Sequence, residues 1–156
     1  MTAPTNEAPT GKPPSRTVVT WAGDMRFDAS RPGGPTIRMD GNGETGPSPV
    51  DTLMTALAAC TAVDVTMILE KRRTPVRALR IEATGERANA SPARIVAAEL
   101  AYHVDGEGID RVNAERAVHL AITKYCSVRE SLDPALPIHY SVILNGEPGE
   151  RLLGAN

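Results

Sequence analysis

The sequence predicts an α+β fold, with antiparallel sheet packed around one long buried helix. Three observations point there. Strand-like and helix-like segments follow the order β-β-β-α-β-β-α-α-β, without the regular βα alternation of a doubly wound parallel sheet. Residues 50–69 form the most apolar stretch, apolar on every helical face, as a buried helix is. The chain has 156 residues, the size of one domain.

Residues 1–15 carry Pro, Thr, Ala and Gly without periodicity and read as a disordered tail, leaving one domain over 16–156. Residues 17–21 are rich in β-branched side chains and predict a first strand. Ala22-Gly23-Asp24 marks a turn, and 25–29 return with Met25 and Phe27 on one face. After Arg31-Pro32-Gly33-Gly34-Pro35, residues 36–39 add a third short strand. Residues 40–49 are loop. Ser48 suits an N-cap and Pro49 the first helical position, with Asp51 in the first turn complementing the helix dipole. The long helix then runs to about Arg72, limited by Pro75. Residues 76–86 and 94–104 alternate as strands, the second placing Val96, Ala98, Leu100 and Tyr102 on one side. Residues 113–125 show the helical stripe Val118, Ala121, Ile122, Tyr125. A short helix is expected over 127–132, and a last strand over 138–144.

Composition excludes several classes. Aromatic residues are 3% of the chain, so the core is aliphatic and base-stacking platforms are not expected. Net charge is −2, far from a nucleic-acid footprint. Glu70-Lys71-Arg72-Arg73 reads as a solvated helix end whose cations meet the dipole. The apolar run is long enough to suggest a membrane span, but Asp51, Asp64 and four threonines inside it favour a core helix. Nothing in 1–15 has the apolar stretch of a signal peptide, so a cytoplasmic location is expected. His103, His119 and His139 lack metal-ligand spacing, and no metal is predicted. Neither a phosphate-cradling loop nor a Ser-His-Asp elbow is visible.

Chemistry concentrates at the two cysteines. Cys60 lies in Ala56-Leu57-Ala58-Ala59-Cys60-Thr61-Ala62, where small residues let other backbones approach closely. So short a chain has few elements to surround this helix, which predicts a dimer with the helix near its interface. A cysteine there often serves only as a small hydrophobe. Cys126 falls between two helices, where helix-end N–H groups, with Lys124 and Arg129 nearby in sequence, favour a thiolate. Low-pKa, accessible thiols reduce peroxides and pass through sulfenic acid. Spacing does not say whether the sulfurs meet. A redox pair and two unrelated core residues both stand at this point. Asp64, one turn after Cys60, either opposes a thiolate or satisfies backbone donors in the core.

Met39-Asp40-Gly41, then Gly46-Pro47-Ser48-Pro49-Val50-Asp51-Thr52-Leu53 running into Ala58-Ala59-Cys60-Thr61-Ala62-Val63-Asp64-Val65, resembles the OsmC/Ohr family. Lys124-Tyr125-Cys126-Ser127-Val128 resembles that family's second cysteine motif, in its Lys-Tyr-Cys-Ser-Val branch. The resemblance spans about residues 16–145. It implies an OsmC-like fold and an intertwined homodimer with two sites at the subunit interface. It further implies a thiol-dependent peroxidase for organic hydroperoxides, protecting against oxidative stress, with Cys60 peroxidatic and Cys126 resolving. No bound cofactor is implied. The reductant is an external dithiol or lipoylated protein. The family pairs its nucleophile with an Arg and a Glu. Here the Glu position is Val50, beside Asp51, and Arg26 is the nearest candidate for the Arg. Val50 favours the alternative, a non-enzymatic dimer that senses redox state or binds a small apolar ligand.

Overall fold

Three β-rich segments of the N-terminal region pair as β1 (Val18–Trp21), β2 (Arg26–Ser30) and β3 (Ile37–Asp40). They form an antiparallel meander with Thr20 opposite Asp28 and Phe27 opposite Met39. The computed structural model describes residues 11–155. The expected tail therefore lies mostly outside the described residues; 11–15 are exposed and irregular. Two compact units are present, divided between Ser48 and Pro49.

In the first unit the Ala22–Asp24 turn closes with Gly23 and Asp24 both at positive φ, 93° and 50°, which suits this Gly-Asp pair. The Asp40 carboxylate, buried at the end of β3, receives the N–H groups of Asn42 and Thr45 and the Thr45 hydroxyl. Those donors hold the following loop in shape and draw the Asp40 pKa down.

The second unit holds α1 (Pro49–Lys71), β4 (Ala78–Arg87), β5 (Ile95–Asp105), α2 (Arg111–Leu120), α3 (Ser127–Glu130), β6 (Ile138–Leu144) and β7 (Leu152–Leu153). Pro49 opens α1 as expected. The helix stops where Arg73 turns left-handed (φ 62°) and the Thr74 N–H reaches back to the Leu69 carbonyl. Met54, Leu57, Ala58, Thr61, Val65 and Leu69 recur every three or four residues and are buried. They pack with Leu100, Tyr102 and Val104 of β5 and with Ala114, Ala117 and Val118 of α2. The opposite face of α1 leaves Leu53, Val63 and Met67 exposed.

The sheet order is β4-β5-β6-β7. Its outer pairs are antiparallel, but β5 and β6 run parallel, with Tyr102 beside Val142. The expected α+β fold with antiparallel sheet and a long helix holds, and the β5–β6 pair adds one parallel step to it. Chain leaving β5 passes through α2 and α3, a crossover long enough to re-enter the sheet at the same end. Strand β7, two residues long, has too few positions to show alternation and was not expected.

Leu57 is fully buried at the centre of the α1 packing face. Leu57→Ala is expected to cost about 2–5 kcal/mol, read as a lower urea midpoint with unchanged slope.

Candidate functional site

Two helices deliver the cysteines to one place. Cys60 sits near the middle of α1, half-buried. Cys126 is delivered by an irregularity at the end of α2. There Ala121–Tyr125 form a π-helical turn, closed by the Cys126 N–H on the Ala121 carbonyl at 3.0 Å. The extra residue in that turn rotates the chain by about 100° relative to an unbroken α-helix. Tyr125, expected inside as the end of the apolar stripe, is 48% exposed, and Cys126 is buried in its place at 4%.

Cys126 leaves the π turn in extended conformation (φ −72°, ψ 105°) and caps α3, its sulfur accepting the Arg129 N–H at 3.2 Å. Its thiol neighbours that of Cys60, close enough for the two to influence one another's ionisation. The structure thus brings together the two thiols that spacing alone left apart, and both are free.

Burial pushes the Cys126 thiol up to about 11, and the neighbouring Cys60 thiol adds to the rise. The N–H groups of Arg129 and Val128 pull the other way and lose. This corrects the expectation of a helix-stabilised thiolate at Cys126. Sequence locates a helix end but not its depth, and α3 is only four residues long. The expected cations are occupied elsewhere. The Lys124 ammonium lies over the Tyr125 ring. The buried Arg129 guanidinium donates to the carbonyls of Asp133, Pro134 and Leu136, and its Nε finds no partner among the described residues.

Two residues beside the pair were missed as site components. Tyr102 of β5, fully buried, shares a 2.7 Å hydrogen bond with Thr61, the residue after Cys60. Cys126 lies close enough that its charge helps raise the Tyr102 phenol, whose shift comes mainly from burial. A signal existed: a tyrosine on the inward face of a strand needs a partner for its hydroxyl.

The other expected residues lie differently. Arg26 is in the first unit, paired to Asp24 at 2.7 Å within its own hairpin. Asp51 is exposed in the first turn of α1, about 13 Å along the axis from Cys60 at 1.5 Å per residue. The chain does not bring it to the thiols. Asp64, one turn beyond Cys60, has its carboxyl pushed up by burial. It lines a cleft of about 370 Å³ with Met67, Ile68 and Tyr125. A second cleft, about 340 Å³, is lined by Lys124, Tyr125, Cys126 and Ser127. Among the described residues no cluster of His, Cys, Asp and Glu is arranged to hold a metal ion.

Chemically, two neighbouring thiols can close to a disulfide with loss of two electrons and two protons. Cys60 is the more exposed of the two.

Comparison with known proteins places this arrangement. The model of a family described as OsmC-like protein matches residues 41–141. Protein YhfA of Escherichia coli K12 is 35% identical over 124 residues, covering 79% of this chain and 92% of that protein. Among solved structures, a hypothetical protein from Aquifex aeolicus VF5 superposes with a TM-score of 0.75 at 25% identity, covering 86% of this chain and 98% of the other. The organic hydroperoxide resistance protein OhrB of Bacillus subtilis shares the fold at a TM-score of 0.57 and 15% identity, covering 82% and 98%.

The raised Cys126 pKa has a consequence for stability. The folded state holds this proton more tightly than the unfolded chain, whose thiol titrates near the ordinary value of 9.0. The stabilisation is complete below that pH and is lost as pH climbs through about 11. Cys126→Ala is expected to flatten part of the decline in urea midpoint between pH 8.5 and 11, while Cys60→Ala, which removes the two contributions of Cys60 and leaves burial, the largest cause, flattens less.

Proposed function

Because the chain belongs to the OsmC-like protein family, we propose that it is a thiol-dependent peroxidase that reduces organic hydroperoxides through Cys60 and Cys126. The observation that carries this is the proximity of two free thiols, one half-buried and one buried. Family membership and a fold shared with a hydroperoxide resistance protein support it.

The greater exposure of Cys60 supports a division of roles. Cys60 acts as the nucleophile. Its thiolate attacks the outer oxygen of the hydroperoxide, the O–O bond breaks, and the departing alkoxide takes a proton to become an alcohol. Cys60 is left as a sulfenic acid. Cys126, its neighbour, gives up its proton and attacks the sulfenic sulfur. The S–O bond breaks, and hydroxide with that proton leaves as water. An external dithiol, free or carried as a lipoyl group, then exchanges twice with the disulfide and restores both thiols.

A cytoplasmic homodimer belongs to the same proposal. The exposed Val63 and Met67, at 58% and 47%, with Leu53 and the small Ala56 and Ala59, form an apolar face of α1 suited to a second copy. Val50 at the position of the family's Glu, and Arg26 engaged with Asp24, favour a second reading in which the pair oxidises once as a sensor. Turnover separates them, since an enzyme cycles with dithiol and a sensor stops after one equivalent.

Cys60→Ser is expected to lower cumene hydroperoxide consumption at least 100-fold, about 3 kcal/mol of transition-state stabilisation. Cys126→Ser is expected to stop after one turnover with a sulfenic acid visible as a 16 Da mass gain and trapped by dimedone. If both variants consume the hydroperoxide at the parent rate, the peroxidase assignment is wrong.

A further inference from the structure

The helix that holds Cys126 is too short to stand alone. α3 is a single turn of four residues, and one turn makes too few hydrogen bonds to offset the order it demands. Yet it carries the contact that fixes the sulfur, the Arg129 N–H on Cys126 Sγ at 3.2 Å. Something outside α3 must keep that N–H aimed.

The Arg129 side chain is placed to do so. It is 8% exposed. Its Nη1 donates to the Asp133 carbonyl at 3.2 Å, and its Nη2 donates to the carbonyls of Pro134 at 3.2 Å and Leu136 at 3.4 Å. The segment it grips is anchored in turn. Leu136 is buried in the core, and the Pro137 carbonyl accepts the Ala98 N–H of β5 at 3.0 Å. One residue thus meets the sulfur with its backbone and ties α3 to the sheet with its side chain.

The arrangement is electrostatically unfavourable. The guanidinium has no ion-pair partner among the described residues, and its buried Nε has no hydrogen-bond partner at all. Well-packed apolar residues commonly replace buried charged groups without loss of stability. Packing alone does not account for an arginine here, and an orphaned buried donor asks for another reason.

We propose that Arg129 is a positioning residue for the resolving cysteine, its guanidinium clamping residues 133–136 so that its own N–H stays on the Cys126 sulfur as that sulfur gains charge. The role rests on the assignment of Cys126 as the resolving cysteine, but it concerns disulfide closure rather than peroxide. In closure the Cys126 thiol gives its proton to solvent, and the thiolate attacks the oxidised Cys60 sulfur. A new S–S bond forms, and the group on Cys60 departs with its electron pair. A hydrogen bond to an anion is roughly twice as strong as one to a neutral group, so the aimed N–H matters most in this step. The titratable groups nearby are Cys60 from α1 and Tyr102 from β5, with Tyr140 of β6 beyond, and none brings a positive charge. Lys124 is turned onto the Tyr125 ring.

Closure is measured without peroxide by loading Cys60 with Ellman's reagent. One thionitrobenzoate anion leaves on labelling, and a second leaves when Cys126 attacks the mixed disulfide. Arg129→Met keeps much of the bulk and removes the donors. It is expected to slow the second release about tenfold or more at pH 7.5, the range of a hydrogen bond to a charged group, and to move its pH profile to higher pH. The first release is expected to stay within about twofold of the parent. Arg129→Lys restores a cation with fewer donors, and its second release is expected to fall between the two. Val142→Ala truncates a fully buried side chain of β6 and controls for general loosening; it is expected to lower the urea midpoint and leave the pH profile in place.

A second release in Arg129→Met at the parent rate and pH profile overturns the proposal. So does an equal displacement of the profile in Val142→Ala, and so does a parent protein that gives no second release. Should Arg129→Met fail to fold, Arg129→Lys decides: a slowed and displaced release supports the clamp, and a parent rate and profile overturn it. If the parent closes and shows the Arg129 effect but consumes no hydroperoxide, the peroxidase assignment fails and the role of Arg129 stands. If the parent consumes hydroperoxide while Arg129→Met closes as the parent does, the reverse holds.

Discussion

The approach of the Cys60 and Cys126 thiols is the constraint around which the second unit is arranged. For the two sulfurs to come together, the segment after α2 must come close to the α1 backbone. The small side chains Ala58, Thr61 and Ala62 around Cys60 permit that approach, as a run of leucines does not. The chain must also turn Cys126 inward at the end of α2, which the π turn over Ala121–Tyr125 accomplishes by inserting one residue. The N-cap geometry of α3 then fixes the sulfur through the Arg129 N–H. A neutral thiol is cheap to bury, close to a small hydrophobe in its demands, whereas a buried anion is costly. The reduced pair therefore rests comfortably in the core, with Cys126 the deeper of the two.

Much of the scaffold was legible in the sequence because it is local. Ser48-Pro49-Val50-Asp51 carries a cap, a first-turn proline and a first-turn acid, and α1 begins there. Alternation over 94–104 placed Ala98, Leu100 and Tyr102 on the inward face, where they are buried. The misses share a physical origin. Tyr125 fits the stripe Val118, Ala121, Ile122 in an unbroken helix, and nothing in the residue types announces the extra residue that rotates it outward. The parallel pairing of β5 with β6 depends on where a long crossover re-enters the sheet, and so escapes any local pattern. The sign of the Cys126 shift depends on depth, which a helix end does not reveal. That the two thiols meet at all came from a resemblance to a family and not from their spacing. Arg26 and Asp51 were drawn from the same resemblance; Arg26 pairs with Asp24 in its own hairpin, and Asp51 lies more than two turns before Cys60 on α1.

Depth also gives the proposed cycle its direction. Cys60 is the more exposed sulfur, and in that cycle both hydroperoxide and dithiol react there. When a dithiol attacks Cys60 in the disulfide, the departing group is the Cys126 thiolate. A thiol whose pKa is raised to about 11 is a poor leaving group, since leaving ability falls as thiol pKa rises. Closing and opening the disulfide therefore pass through the same disfavoured species, a buried Cys126 anion. The groups able to receive it are two backbone N–H donors on α3, locked by helix geometry whatever the redox state.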